Sequence, residues 1–349
     1  MFEICTELLK ELIRIPSLSR EESLTADLLS NFLTERGVEV KRYGNNVWAV
    51  NRYFDPSHKT ILLNSHHDTV RPNPGYTRDP FDPVITAGKL YGLGSNDAGG
   101  ALVSLLGAFL HFHEQGNLSY NLAIAATAEE EISGPNGIES VLPHLPPIDS
   151  AIVGEPTQMN LALAEKGLMV LDGITRGRAG HAAREEGDNA LYKAVRDIEW
   201  FRGFRFDRES AWLGPVKMSV TVIETGNKAH NVVPDECRYT VDVRVTDAYT
   251  HEEVLDIIRA NISAEIKPRS MRMRATRIEE DHPLVQAGLR LGSRPYGSPT
   301  SSDKALMPFP ALKCGPGDSA RSHTADEFIY LEEIAGGIDG YIGMLKQVL

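Results

Sequence analysis

Ile4, Leu8, Leu9, Leu12 and Ile13 recur at helical spacing ahead of Pro16, which predicts a first amphipathic helix ending near that proline. Ser19 and Glu22 have the spacing of a capping box for a second helix, whose apolar stripe of Leu24, Leu28, Leu29, Phe32 and Leu33 ends at Gly37. Extended runs follow at 38–42, 46–53 and 61–65, and the third ends abruptly in His66-His67-Asp68. If extended backbone continues to Asp68, His66 and Asp68 share a face and His67 points the other way. That geometry suits a metal-binding imidazole oriented by a carboxylate. It also suits a hydrogen-bonded polar cap at a strand end.

Residues 71–90 are rich in Pro, Gly, Asp and Thr and predict a long surface loop. Gly92-Leu93-Gly94-Ser95-Asn96-Asp97-Ala98-Gly99-Gly100 then leads into an apolar helix over 101–113. Asn96 or Asp97 could cap that helix. A phosphate loop is discounted, because the Gly-Lys-Ser/Thr ending is missing. A strand over 122–127 runs straight into Glu129, Glu130 and Glu131, three carboxylates that would repel one another in a buried site unless a cation neutralised them. Ala151-Ile152-Val153-Gly154-Glu155-Pro156-Thr157 repeats the theme of an apolar strand delivering a carboxylate at its carboxyl end, where open α/β sheets bind ligands. Gly315-Pro316-Gly317-Asp318 leads to Ser322-His323-Thr324, and 331–349 predicts a terminal amphipathic helix.

Between 168 and 278 the rhythm changes. Strands at 168–176, 216–225, 237–245 and 271–278 alternate with helices at 189–201 and from a Thr250/Glu253 capping box to about 263, giving β-α-β-β-α-β, the split βαβ sandwich. The chain therefore reads as α/β, with a first domain formed by 1–167 and 281–349 and an inserted domain over 168–280. A length of 349 residues also makes two cores the natural expectation.

A formal net charge of −12 argues against nucleic acid or an anionic membrane as the main partner, since both select basic faces. Cys5, Cys237 and Cys314 are odd in number and far apart, which disfavours a disulfide framework or a thiolate zinc site and fits a reducing cytoplasm. The first residues show neither a basic start nor an apolar signal core, and no stretch has the length and apolarity of a membrane span. Histidines and carboxylates without cysteine match divalent ions that favour oxygen and nitrogen, zinc first, with cobalt or manganese as alternatives. A pair of ions bridged by one carboxylate would account for so much negative charge meeting at one place.

This ordered motif set resembles the M20 family of zinc-dependent peptidases and deacylases, over essentially the whole chain. The resemblance implies a zinc-peptidase-like catalytic domain, its mixed sheet flanked by helices, and an inserted ferredoxin-like domain acting as lid and dimerisation element. It makes His66 a ligand oriented by Asp68, Asp97 the bridging ligand, Glu155 a second ligand of the ion held by His66, and His323 the last ligand, on the other ion. The lead-in Ala126-Thr127-Ala128 is similar to that of the deacetylases and makes Glu130 the acid/base and Glu131 a ligand. The alternative register makes Glu129 the base and Glu130 the ligand. His181, in Gly180-His181-Ala182, resembles the family's oxyanion-stabilising histidine, which in dimeric members comes from the neighbouring subunit. Asn231 and Arg244 resemble substrate-binding positions, with Arg244 facing a substrate carboxylate. Asp97 is followed by Ala-Gly-Gly where many members have Met-Lys-Gly, and 318–321 matches no family segment.

The expected activity is hydrolysis of the amide bond of an N-acyl amino acid, with acetylornithine, an intermediate of arginine biosynthesis, as first substrate and a homodimer as the working form. Acetylcitrulline, succinylornithine or acetyl-lysine deacylation, or di- or tripeptide cleavage, would leave much the same sequence. A non-catalytic protein binding amino acid derivatives is the rival from another class; an empty ligand or base position would favour it, and every position is filled.

Overall fold

The computed structural model describes residues 1–184 and 186–349. It divides into two compact units, one of Met1–Leu163, Arg277–Tyr296 and Ser302–Leu349, the other of Ala164–Thr276 and Gly297–Ser301.

In the first unit, four parallel strands form the middle of a mixed sheet: Asn121–Thr127, Thr60–His66, Ser150–Val153 and Ala311–Lys313, side by side in that order. Their unbroken apolar runs follow from burial on both faces. The sheet is extended by antiparallel neighbours, Asn46–Val50 and Val40–Tyr43 beyond Asn121–Thr127, and Leu161–Glu165 beyond Ala311–Lys313. Parallel pairing puts all four carboxyl ends on one edge, with His66 opposite Thr127 and Asn64 opposite Val153. The loops leaving that edge carry the histidines and carboxylates of the motifs.

Helix Gly100–His113 is apolar almost all round because it is covered almost all round, by the sheet and by helices Phe2–Arg14 and Leu331–Leu345. Phe2–Arg14 buries Cys5, Leu8, Leu9, Leu12 and Ile13, whereas Ile4 stays exposed. In helix Ser23–Thr34 the buried stripe is Thr25, Ala26, Leu29, Phe32 and Leu33, and Leu24 faces solvent. The capping box expected from Ser19 and Glu22 does not form. Ser19 Oγ donates instead to Asp68 at 2.7 Å, while Glu22 accepts from the backbone of Arg20 and Glu129 and from Asn45 Nδ2.

The second unit holds an antiparallel sheet in the order Lys217–Glu224, Glu236–Val245, Gly167–Arg176, Glu265–Pro268, with helices Ala190–Gly203 and His251–Asn261. Strict alternation along Gly167–Arg176 and Glu236–Val245 sends Met169, Leu171, Tyr239, Val241 and Val243 into a core shared with Phe201, Val254 and Ile258. Thr250 and Glu253 do form the capping box of His251–Asn261. The fourth strand is Glu265–Pro268 rather than the expected 271–278, of which only Thr276–Arg277 is extended in a ladder. Pro268 hides the true strand from a propensity reading, yet it is tolerated because the strand lies at the sheet edge.

Candidate metal centre

Strand Thr60–His66 ends at His66 itself, so strand alternation does not reach Asp68. The orienting contact exists nonetheless: His66 Nδ1 lies 3.0 Å from the backbone oxygen of Asp68 and 3.4 Å from its carboxylate. Asp68 also accepts from Ser19 Oγ and from the backbone N–H groups of Glu130 and Glu131, at 3.0 and 3.2 Å. One buried carboxylate thus ties His66 to the turn that presents both glutamates. Burial works against its charge, but the bond to His66 holds Asp68 below the usual carboxylate range.

His66 Nε2 is buried and has no hydrogen-bond partner. Around it stand Asp97 Oδ1 at 3.4 Å, Glu155 Oε1 at 3.8 Å and Glu130 Oε2 at 3.9 Å. The other oxygen of Asp97 faces His323 Nε2 at 3.6 Å, and His323 Nε2 lies 2.9 Å from Glu131 Oε2. A single carboxylate therefore offers one oxygen to each of two histidines. Two triplets have ligand atoms within 4.8 Å of one another, His66 with Asp97 and Glu131, and His66 with Glu130 and Glu155. Burial raises Glu130 well above the usual range, with Glu155, Asp303 and Glu131 adding to the rise, and Glu131 is raised too. An orphaned imidazole nitrogen amid carboxylates, of which Glu130 and Glu131 are disfavoured as anions while Asp97 is held in its charged form by His66, is a donor set that fits divalent cations.

Backbone geometry brings these groups in. Gly94 takes φ +74°, a left-handed turn that glycine adopts without strain, just before Asp97. Gly154 packs so closely that a Cβ would meet Leu105 at 2.7 Å and Ser65 at 3.3 Å, which holds Glu155 against the strand bearing His66. Glu129 faces elsewhere: its carboxylate accepts from Asn136 Nδ2 at 2.8 Å and from the Asn136 backbone at 3.2 Å.

Three further residues support the site, Glu327 and Asp303 outside any quoted motif and Asn96 inside one but read only as a helix cap. Glu327, buried just ahead of strand Phe328–Tyr330, accepts from the backbone N–H groups of Gly94, Asn96 and Asp97 at 2.8 to 3.0 Å and so fixes the turn presenting Asp97. Burial pushes its carboxyl up to about 8. Asp303, pushed up to about 6 by burial, accepts from Thr127 Oγ1. Asn96 bonds both ways with the Asp318 backbone and so braces the loop leading to His323.

The remaining expected residues belong to the second unit. His181 is exposed on a short ladder, Gly180–His181 against Val232–Val233, and the backbone N–H of Ala182 donates to the Asn231 carbonyl at 2.9 Å, so His181 and Asn231 adjoin. Arg244 gives Nε and one Nη to Asp242 at 2.8 and 3.1 Å.

His67 is turned away from the cluster into the fold, with Nδ1 2.9 Å from Thr25 Oγ1 and Nε2 2.9 Å from the Asn45 carbonyl. Burial depresses it to about 4, so it is neutral at pH 7. His67→Ala should therefore cost about 1–3 kcal/mol of stability with metal content kept, because two buried partners lose their bonds. His66→Ala should strip metal at little cost in folding. Metal analysis and thermal melts on the two variants separate the roles; metal loss in His67→Ala with His66→Ala unaffected would reverse them.

The chain is 28% identical over 277 residues to a succinyl-diaminopimelate desuccinylase of Ruegeria sp., covering 74% of this chain and 69% of that one. It is 27% identical over 268 residues to the succinyl-diaminopimelate desuccinylase of Acidiphilium cryptum, covering 73% and 71%. Its fold is that of aminopeptidase PepT from Bacillus cereus, with a TM-score of 0.81, 19% identity and coverage of 100% and 99%. The fold is shared too with a dinuclear metal-binding peptidase of Bacillus subtilis, with a TM-score of 0.76, 16% identity and coverage of 99% and 98%. No helix among the described residues is long and apolar enough to cross a membrane. The model of peptidase family M20/M25/M40 matches residues 62–347, so the chain belongs to that family and is a metal-dependent amidohydrolase.

Proposed function

We propose that this enzyme removes the acyl group from an N-acyl amino acid, with N-acetylornithine as first substrate, in the cytoplasm and in the service of arginine biosynthesis. The observation that carries the two-ion reading is Asp97, whose two oxygens face His66 and His323 separately. His66 and Glu155 would hold one ion, Glu131 and His323 the other, and Asp97 both. Zinc is the first candidate and cobalt or manganese the alternatives. When bound, such ions make water more acidic and polarise a carbonyl.

The chain's own residues would do the rest. Glu130, within reach of His66 yet with no histidine of its own, takes a proton from the attacking water and returns it to the departing amine nitrogen. Asp68 keeps His66 and the Glu130 turn in register. His181 would steady the carbonyl oxygen as it gains charge, with Asn231 beside it on the substrate.

The acetyl reading is supported by Ala126-Thr127-Ala128 and Gly154-Glu155-Pro156-Thr157, which resemble the deacetylase segments. A succinyl group is the second reading, favoured by the names of the relatives at 28% and 27% identity. The test is amine release from N-acetyl and N-succinyl ornithine, citrulline, lysine and diaminopimelate and from di- and tripeptides, with zinc or cobalt added. The expected result is highest kcat/KM on N-acetylornithine. Cleavage of peptides alone would remove the deacylase reading, and no turnover of any of them would favour the binding protein.

The working form is proposed to be a homodimer. Strand Lys217–Glu224 is an edge strand with Val222 and Ile223 exposed, and helix Ala190–Gly203, packed on it, exposes Tyr192 and Val195. A long apolar edge of this kind is matched most simply by its own copy.

A further inference from the structure

Residues 73–78, part of the long loop that follows Asp68, are fastened to the turn that carries His323. Asn73 Nδ2 donates to the His323 carbonyl at 3.3 Å, and its Oδ1 accepts from the Gly75 N–H at 2.9 Å, which fixes the amide. One oxygen of Asp326 accepts from the backbone N–H groups of Thr77 and Arg78, at 2.9 and 3.1 Å, and the other accepts from Thr77 Oγ1. The Arg78 guanidinium lies over the Tyr91 ring at 4.3 Å, and Tyr91 pairs with Phe328 in the ladder that follows the turn. The loop thus grips 323–328 at both ends, and no expected role accounts for the grip.

His323 needs such support more than His66 does. The His66 side chain is 1% exposed and ends a central strand, whereas the His323 side chain is 54% exposed and leaves an irregular turn. His323 takes φ +59° and Asp326 φ +53°, left-handed values that strain a residue with a Cβ and persist where neighbours over-determine them. The bonds from 73–78 are such neighbours. The His323 ring itself is steadied by Glu131 at 2.9 Å, through the nitrogen and oxygen that an ion would claim. Once both groups bind an ion, the aim of the ring rests on the backbone behind it.

We propose that Asp326 and Asn73 are positioning residues for the metal centre, which use the strap 73–78 to hold the turn from which His323 reaches the second ion. This rests on the two-ion reading and extends it to a loop with no histidine or carboxylate between Asn73 and Arg78.

The test strips the protein of metal with a chelator and titrates cobalt, followed by visible absorption and calorimetry, so that both ions are read without turnover. Wild type should take up about two equivalents and His323→Ala about one. Asp326→Ala should keep the first at wild-type affinity and bind the second about 10–100-fold more weakly, the usual cost of losing an outer support of a ligand. Asp326→Asn, whose amide oxygen can still accept from the Thr77 and Arg78 N–H groups, should recover most of that loss. Thr77→Val, at an exposed position, removes one of the three bonds to Asp326 and should weaken the same ion less. Saturating cobalt should return the kcat of Asp326→Ala toward wild type. A second ion held as tightly as in wild type by Asp326→Ala overturns the strap, and Thr77→Val decides in the same way if Asp326→Ala does not fold. Both ions weakened together, with a lower melting temperature of the metal-free protein, would assign Asp326 to the fold and overturn it as well. Two equivalents in His323→Ala would sink the two-ion reading and the strap with it. One equivalent in His323→Ala, beside two at wild-type affinity in Asp326→Ala, removes the strap alone.

Discussion

Glu130→Gln should lower kcat by about 10²–10⁴ while metal content stays near wild type, since a positioned general base contributes about that much. The three adjacent glutamates do three different things. Glu129 is held by Asn136 away from the cluster, and Glu131 lies 2.9 Å from His323. Glu130 sits 3.9 Å from His66 and, unlike Glu131, has no second histidine beside it, which suits the proposed role of proton carrier. Amide replacement keeps its volume and removes its basicity, so the loss should appear in kcat. Glu131→Gln should instead lower metal occupancy, because its carboxylate is part of the pair with His323. Glu129→Gln should cost stability through Asn136 and spare both metal and kcat. Metal analysis with steady-state kinetics on the three variants checks the assignment, and metal loss in Glu130→Gln with full occupancy in Glu131→Gln would shift the register by one residue.

How much of this was legible depends on range. The parallel strands announced themselves because burial on both faces writes a continuous apolar run, and the groups at their carboxyl ends followed from that edge. His66 and Asp68 were read as partners through strand alternation, yet the strand stops at His66 and the partnership runs mainly through the Asp68 backbone oxygen. Local rules failed where a distant residue outbids the neighbour. Ser19 and Glu22 have capping-box spacing, but Asp68 takes the hydroxyl and the Glu129 backbone takes the carboxylate. Glu327 and Asp303 escaped notice for the same reason: their partners, the turn at Gly94–Asp97 and Thr127, lie 176 to 233 residues away in sequence. Strand Glu265–Pro268 went unread, and its proline is tolerated because the strand lies at a sheet edge. Arg244 could have been read better, since Asp242 two residues earlier on the same strand face is the partner that claims it.

His181→Ala and Glu130→Gln should each be nearly inactive alone and partly active together. His181 is exposed in the second unit, and among the described residues its side chain makes one hydrogen bond, accepting from the Ala183 backbone at Nδ1, an arrangement that puts the ring proton on Nε2. It adjoins Asn231, so two residues resembling substrate contacts share one short ladder with no metal ligand among them. An oxyanion donor of this kind is worth about 10²–10³ in turnover, and its removal should leave metal in place. If the donor reaches the site of the neighbouring subunit, mixing the two inactive variants after dissociation builds heterodimers with one competent site, where an intact Glu130 meets an intact His181. Random exchange makes half the dimers mixed and half their sites competent, so about a quarter of wild-type activity should return. The assay pairs activity with a mass-labelled measure of subunit exchange. Exchange without recovery would place His181 within its own chain or outside the reaction, whereas recovery would show at once that the enzyme is a dimer and that its sites are shared.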